Sequence, residues 1–480
     1  MVSACAASAC SGVKPAESEG VVVIYPRNAS LLETLAAREI RRYVYLRTGQ
    51  LLPLVHPRKA LPESARAIVV AQKDRPIVTK LATDAGLRSS LAGLGEQSYL
   101  LKTVERNGRK FVLVLGGDEV STLYAAYRFA EHLGVRFYLH GDVIPDRPPA
   151  LARRRAGRIA LELPELDERE KPLFELRGIQ PFHDFPEGPD WWNLDDYRAI
   201  ISQLPKLRMN FIALHTYPEG HPNAEPTVWI GLPDDVGFGS FSKRALGPPP
   251  ENSRKDAKTQ RNRGTLALLA SWRDKKRSKK GESSFEKRSK SGRVKFSYPA
   301  SYQNTLRGNW GYAAKKTSKF IFGASQLFER DAYGADVMLD SCPRPEKPED
   351  CNEVFHRTGA MLREAFRHAH MLGVKTCVGT ETPLTVPKRV QQRLKAKGKD
   401  AADDAVIQEL YEGIFLRAAG AYPLDYYWFW TPEGWTWQGV SDEDVQKTMA
   451  DLRLAIAAAK KVKAPFQLAT CGWVLGPQGD

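Results

Sequence analysis

The sequence predicts an α/β protein: a small N-terminal α/β domain, then a longer run in which strands and helices alternate. Three observations predict it. Short apolar runs of strand length recur between stretches whose apolar residues have helical spacing, as where Gly20–Tyr25 gives way to Leu31–Tyr43. The alternation resumes after a stretch rich in Pro, Arg and Glu and continues for the rest of the chain, which argues for a parallel sheet. The stretch Asp425–Trp437, D-Y-Y-W-F-W-T-P-E-G-W-T-W, holds a run too apolar for a surface loop and too short for an ordinary helix. With 480 residues, 42% hydrophobic and 26% charged, the chain has the length for two or three domains and the composition of a globular protein.

The first domain is predicted over residues 20–145. Strands at Gly20–Tyr25, Ala67–Ala71, Phe111–Leu115 and Val135–Leu139 alternate with helices over Leu31–Tyr43 and Ser121–Leu133. The turn Gly116-Gly117-Asp118 lacks both the GxGxxG fingerprint and the P-loop lysine, and reads as a tight strand-to-helix connection. Residues 146–172 read as a linker, and residues 1–19 as a tail or the remnant of a secretory signal. Export to the periplasm or medium is therefore expected, with a cytoplasmic location as the alternative.

From 173 to 480 the units follow one another. Strands are predicted at Phe174–Phe182, Asn210–Tyr217, Ser318–Gly323, Lys375–Gly379 running on to Glu381, Tyr426–Thr431 and Phe466–Gly472. Helices are predicted at Leu194–Leu207, Glu353–Leu372, Asp403–Ala419 and Asp442–Lys461. This is the pattern of a TIM-type (β/α)₈ barrel, but only about six units precede Asp480, so the barrel is expected to be incomplete.

Charge and cysteines narrow the function classes. The net charge of +15 is local: residues 237–295 hold 18 Lys plus Arg against 5 Asp plus Glu, which leaves +2 for everything else. That segment has almost no periodic apolar pattern and reads as a basic disordered insertion, so no nucleic-acid partner is expected for the folded part. No run approaches a membrane span, and no membrane partner is expected. The 6 cysteines show no CxxC pair, although Cys342 and Cys351 are near enough for one local bridge. His368 and His370 lie two apart on a helix and face different ways, and neither a metal nor any other cofactor is expected.

The chemistry-bearing residues gather at predicted strand ends. Glu381 and Glu433 occupy equivalent positions of consecutive units, Glu433 on a Pro-Glu-Gly turn flanked by Trp430, Trp435 and Trp437. Strand ends of a β/α barrel open on one face, so the two carboxyls are expected to converge there. Indole walls suit a sugar site, since flat rings stack on pyranose faces and apolar surroundings raise a carboxyl pKa. His183 and Asp184 follow the first strand, and the second runs into His215. Glycosidic hydrolysis needs a carboxylic acid for the leaving oxygen and a second group for the anomeric carbon. Each residue also has a plain structural explanation: a capping or ion-paired Glu433, a hydrogen-bonded histidine, packed indoles.

The segment Y-A-A-Y-R-F-A-E-H-L-G-V-R-F-Y within Ser121–Pro145 resembles the end of the domain that precedes the barrel in α-glucuronidases of glycoside hydrolase family 67 and β-hexosaminidases of family 20. L-R-G-I-Q-P-F-H-D-F at Leu176–Phe185 and M-N-F-I-A-L-H-T-Y-P-E at Met209–Glu219 look like the same superfamily. The resemblance implies a general acid at the end of the fourth strand, which maps onto Glu381 in G-T-E-T-P. Thr380 stands where the hexosaminidases have the Asp of an Asp-Glu pair, which favours the glucuronidase side. On this reading Glu433 is a second catalytic or orienting carboxylate. His183, Asp184, His215, Trp430 and Trp435 line a subsite, and Arg177 or Arg307 meets a uronate carboxylate. The expected partner is a carbohydrate substrate. A non-catalytic carbohydrate-binding protein and a β-hexosaminidase-like hydrolase stay open as alternatives.

Overall fold

The computed structural model describes residues 20–56, 66–146, 152–155, 158–181, 192, 194–215, 227–234, 348–432, 435 and 439–471. The chain forms two compact units. The first runs to Ile179 and takes in two later segments, 198–211 and 368–374; the second holds 180–197, 212–367 and 375–480. The division thus falls after Ile179, beyond the expected linker, and two later segments return to the first unit.

The first unit contains β1 (Val21–Ile24), α1 (Leu31–Thr48), β2 (Leu54–Val55), β3 (Arg66–Gln72), α2 (Pro76–Leu81), α3 (Ala85–Ala92), β4 (Tyr99–Arg106), β5 (Arg109–Gly116) and α4 (Glu119–His132). After these come β6 (Arg136–Tyr138), β7 (Gly141–Val143), β8 (Ala152–Arg155), β9 (Arg158–Leu161), β10 (Asp167–Glu170) and the short β11 (Gly178–Ile179). Six strands make one sheet in the order β10-β4-β5-β3-β1-β2. The pairs β1–β2, β1–β3 and β3–β5 are parallel, and β4 pairs antiparallel with both β5 and β10. Val69, Leu113 and Leu115 pack on one face with Ile77, Leu81 and Leu87 from α2 and α3. Helices α1 and α4 pack against each other and against the sheet, where Tyr43, Tyr127 and Phe137 meet edge to face. Both helices start where the sequence supplies a cap: the Ser30 side chain accepts from Glu33 N–H, and Asp118 from Ser121 N–H.

The Gly-Gly turn before α4 is a packing device. A Cβ at Gly117 would stand 1.8 Å from the Gly95 carbonyl oxygen, so only glycine lets the two backbones approach. The helix end behind it is filled by its own Asp118 carboxylate, which also accepts from Gln97 N–H at 2.8 Å.

Residues 146–172, expected to be linker, carry three strands: β8 and β9 form an antiparallel hairpin, and β10 adds a rung to the main sheet beside β4. The polar composition that suggested a linker is that of a strand exposed at a sheet edge.

After α5 (Leu194–Gln203) the chain continues with β12 (Phe211–His215), α6 (Pro348–Met371), β13 (Lys375–Glu381), α7 (Lys388–Ala396), α8 (Asp404–Ala421), β14 (Tyr426–Trp430), α9 (Asp442–Val462) and β15 (Gln467–Cys471), most of them in the second unit. Strands β12, β13, β14 and β15 adjoin in chain order, as successive strands of a β/α barrel do. The pairs β13–β14 and β14–β15 are parallel. The expected strand at Ser318–Gly323, the insertion 237–295 and Cys342 lie outside the described residues. Among the described residues no helix is long and apolar enough to cross a membrane.

Candidate active site

The aromatic strand β14 divides its side chains by the two-residue alternation of a strand. Tyr427 and Phe429 turn to α8: Phe429 meets Tyr411 edge to face at 5.7 Å, and Tyr427 meets Phe415 at 5.1 Å. Trp428 and Trp430 turn the other way and pack edge to face at 5.0 Å. Both faces are buried from Tyr427 onward, which explains why the strand is a continuous apolar run.

Register carries this division to β13. Gly379 stands opposite Trp428 and Glu381 opposite Trp430, so these four share the face away from α8. Glycine is required at 379, because a Cβ there would lie 1.9 Å from Trp428 Cδ1. The Trp428 indole thus lies across the neighbouring strand. Glu381, half-buried, closes β13 one strand spacing from Trp430, about 4.8 Å. Trp430 is 4% exposed. Glu381 and Trp430, both expected at the site from the sequence, are therefore brought together.

On the opposite face the same strand ends are tied to the helices. Thr380 Oγ1 lies 3.0 Å from the Tyr427 hydroxyl. The Thr382 hydroxyl donates to Asp451 Oδ2 at 2.7 Å, and the Tyr411 hydroxyl donates to the same oxygen at 2.6 Å. Thr382 N–H donates to the Trp430 carbonyl at 2.8 Å. Burial pushes the Asp451 carboxyl above its ordinary value, although hydrogen bonds from Tyr411, Thr382 and the Leu384 backbone pull the other way. Asp451 is not among the residues expected at the site from the sequence. Its signal was there: with Thr448, Ala455 and Ala458 it marks the buried stripe of α9, where a carboxylate is out of place.

The remaining expected residues fall elsewhere. Arg177 belongs to the first unit, and its guanidinium is engaged there. Nη1 donates to Gln97 Oε1 at 2.7 Å and to the Phe174 carbonyl at 2.6 Å, and Nε to the Arg208 carbonyl at 2.9 Å. These bonds tie Arg177 to the Gln97 side chain and to carbonyls of its own unit. His215 is the last residue of β12. Trp435 is half-buried, and its backbone N–H donates to the Pro432 carbonyl at 3.1 Å. Glu433, His183, Asp184 and Arg307 lie outside the described residues.

A cavity of about 330 Å³ elsewhere in the second unit is lined by Leu232, Pro233, Asp234 and, from the α7–α9 region, Lys397, Lys399, Glu409, Glu412 and Lys461. None of the expected site residues lines it. Its charges are largely spent on each other: Lys399 pairs with Glu409, and Lys461 with Glu412 at 2.9 Å.

The strand order and the strand-end carboxylate define a class, that of α/β proteins built from successive β/α units. No family model and no curated protein matches the chain. Among solved structures it is similar to a family GH20 chitobiase of Flavobacterium johnsoniae, at 10% identity and a TM-score of 0.40, over 94% of this chain and 49% of that one. It is similar to a GH20 exo-β-N-acetylglucosaminidase of Vibrio harveyi at 11% identity and a TM-score of 0.38, over 96% and 55%. A GH138 enzyme targeting pectin rhamnogalacturonan II matches at 9% identity and a TM-score of 0.39, over 94% and 38%. The chain spans about half the length of the first two.

Proposed function

We propose that the chain is a glycoside hydrolase-like protein in which Glu381 is the general acid. The observation that carries this reading is the placement of Glu381 on the last position of β13, on the same sheet face as the indoles of Trp428 and Trp430. A carboxylic acid there donates its proton to the glycosidic oxygen as the C–O bond breaks, and water adds to the anomeric carbon. Glu433, two residues beyond the Thr431 that follows β14, is the proposed second carboxylate. His183, Asp184 and His215 are proposed to line the subsite, and Arg307 becomes the proposed partner for a substrate carboxylate.

The finer reading is α-glucuronidase-like action. It is supported by Thr380, which supplies no carboxylate beside Glu381 and whose hydroxyl is turned to Tyr427 on the helix side. An N-acetyl-assisted reaction needs a carboxylate to orient the acetamido group, and position 380 has none to give.

Aryl glycosides, uronate-capped oligosaccharides and hexosamine oligosaccharides, incubated with the chain and with its Glu381→Gln variant, test both levels. The expected result is hydrolysis of uronate-capped substrate and a loss of roughly 10²- to 10⁴-fold in the variant. Equal turnover by the two removes Glu381 from the role, and preference for hexosamine substrates overturns the finer reading.

A further inference from the structure

A strand that ends in a catalytic group must leave the sheet in a fixed direction, because a side chain one position out of register points to the other face. Residue 382 is the first beyond β13, and two bonds hold it. Its backbone N–H reaches the Trp430 carbonyl at 2.8 Å, which prolongs the β13–β14 pairing by one residue. Its hydroxyl reaches Asp451 Oδ2 at 2.7 Å. By alternation, Thr382 on the helix side puts Glu381 on the indole side.

Asp451 is 6% exposed and Thr382 1% exposed. Burying a carboxylate costs stability unless it is well hydrogen-bonded. A link between α8 and α9 alone would need only the Tyr411 bond. The Thr382 bond adds a link from the helices to the strand end.

We propose that Asp451 is a positioning residue for Glu381: by accepting the Thr382 hydroxyl it pins the end of β13 to the helix layer, and so holds Glu381 on the indole face. The role rests on the reading of Glu381 as the general acid, while the pin itself is a property of the fold.

Four variants and two measurements test it. Thr382→Val keeps the shape and removes the hydroxyl, Thr382→Ser keeps the hydroxyl, Asp451→Leu removes the acceptor, and Tyr411→Phe removes only the helix-to-helix bond. Misplacement of a catalytic group by an ångström costs on the order of 10²-fold. Thr382→Val and Asp451→Leu are therefore expected to lower kcat by roughly 10- to 100-fold with KM little changed, while Thr382→Ser and Tyr411→Phe stay close to the parent. Hydrogen exchange followed by mass spectrometry reads the pin without any substrate. Amides of the 379–386 peptide are expected to exchange at least several-fold faster in Thr382→Val and Asp451→Leu. Unchanged exchange there overturns the proposal, whether or not the chain proves to be a hydrolase. Faster exchange with unchanged kcat on a substrate that Glu381→Gln cannot turn over also overturns it. Should the parent hydrolyse nothing, the general-acid reading falls while the exchange result still decides the pin.

Discussion

Glu33 shows what a single residue must be given before it can carry charge without water. Its side chain is fully buried at the start of α1, where its carboxylate accepts from Arg75 Nε at 2.9 Å, from Gln72 N–H at 2.9 Å and from Ser30 N–H at 2.7 Å. Burial alone would raise its pKa, but the bonds from Arg75, Gln72 and Ser30 outweigh it and hold the carboxyl below its ordinary 4.5. A carboxyl depressed in the folded state contributes stability that is complete above the unfolded value and fades as pH falls through the folded one. Glu33→Ala is thus expected to cost about 3 kcal/mol at pH 7, since it strands a partly buried Arg75, and progressively less as pH drops below about 4.5. Urea unfolding of the two proteins at pH 7 and near pH 3 checks both the size and the sign.

Elements in this chain are fixed by pairs of residues more than by average composition. The β4–β5 hairpin turns on Asn107 and Gly108, both with positive φ, at 51° and 71°. That is the geometry of the two-residue turn for which Asn-Gly is the favoured sequence. Gly108→Ala puts a Cβ into the left-handed region and is expected to cost about 1 kcal/mol, readable as a lower Tm. Gly379→Ala meets the Trp428 indole and is expected to cost about 1–3 kcal/mol, with a change in tryptophan fluorescence as the ring is displaced. The same pairs explain what was legible. Strands β1, β3, β5 and β14 show as apolar runs because both their faces are buried. β4 does not show as such a run, because Lys102, Glu105 and Arg106 interrupt its pattern, although the Asn-Gly signal marks its end. Helices α2 and α3 are only 6 and 8 residues long, too short for a periodicity to show. The candidate site is legible in the sequence only where its signal is local. A carboxylate after an apolar run pointed to Glu381, but nothing local could show that Thr382 would meet Asp451, 69 residues away in sequence. Nor could anything local show that Arg177 Nη1 would meet Gln97, 80 residues away in sequence.

At the scale of the whole molecule, +13 of the net charge of +15 falls within residues 237–295. Removing residues 237–295 takes away +13 and leaves +2, so retention on a cation exchanger is expected to collapse, while the melting of the remaining chain is expected to stay within a few degrees. Loss of the far-UV signal on removal would show that the segment belongs to the fold. The last rung of the first sheet bears on molecules in company. β10, Asp-Glu-Arg-Glu, occupies the outermost place beside β4, with three of its four residues exposed. Backbone groups at such an edge invite the strands of other copies, and a charged rung repels them. A chain trimmed at 145, where composition alone would cut it, would bare the edge of β4 in its place. Such a fragment is expected to self-associate, so the acidic rung serves as a guard against aggregation.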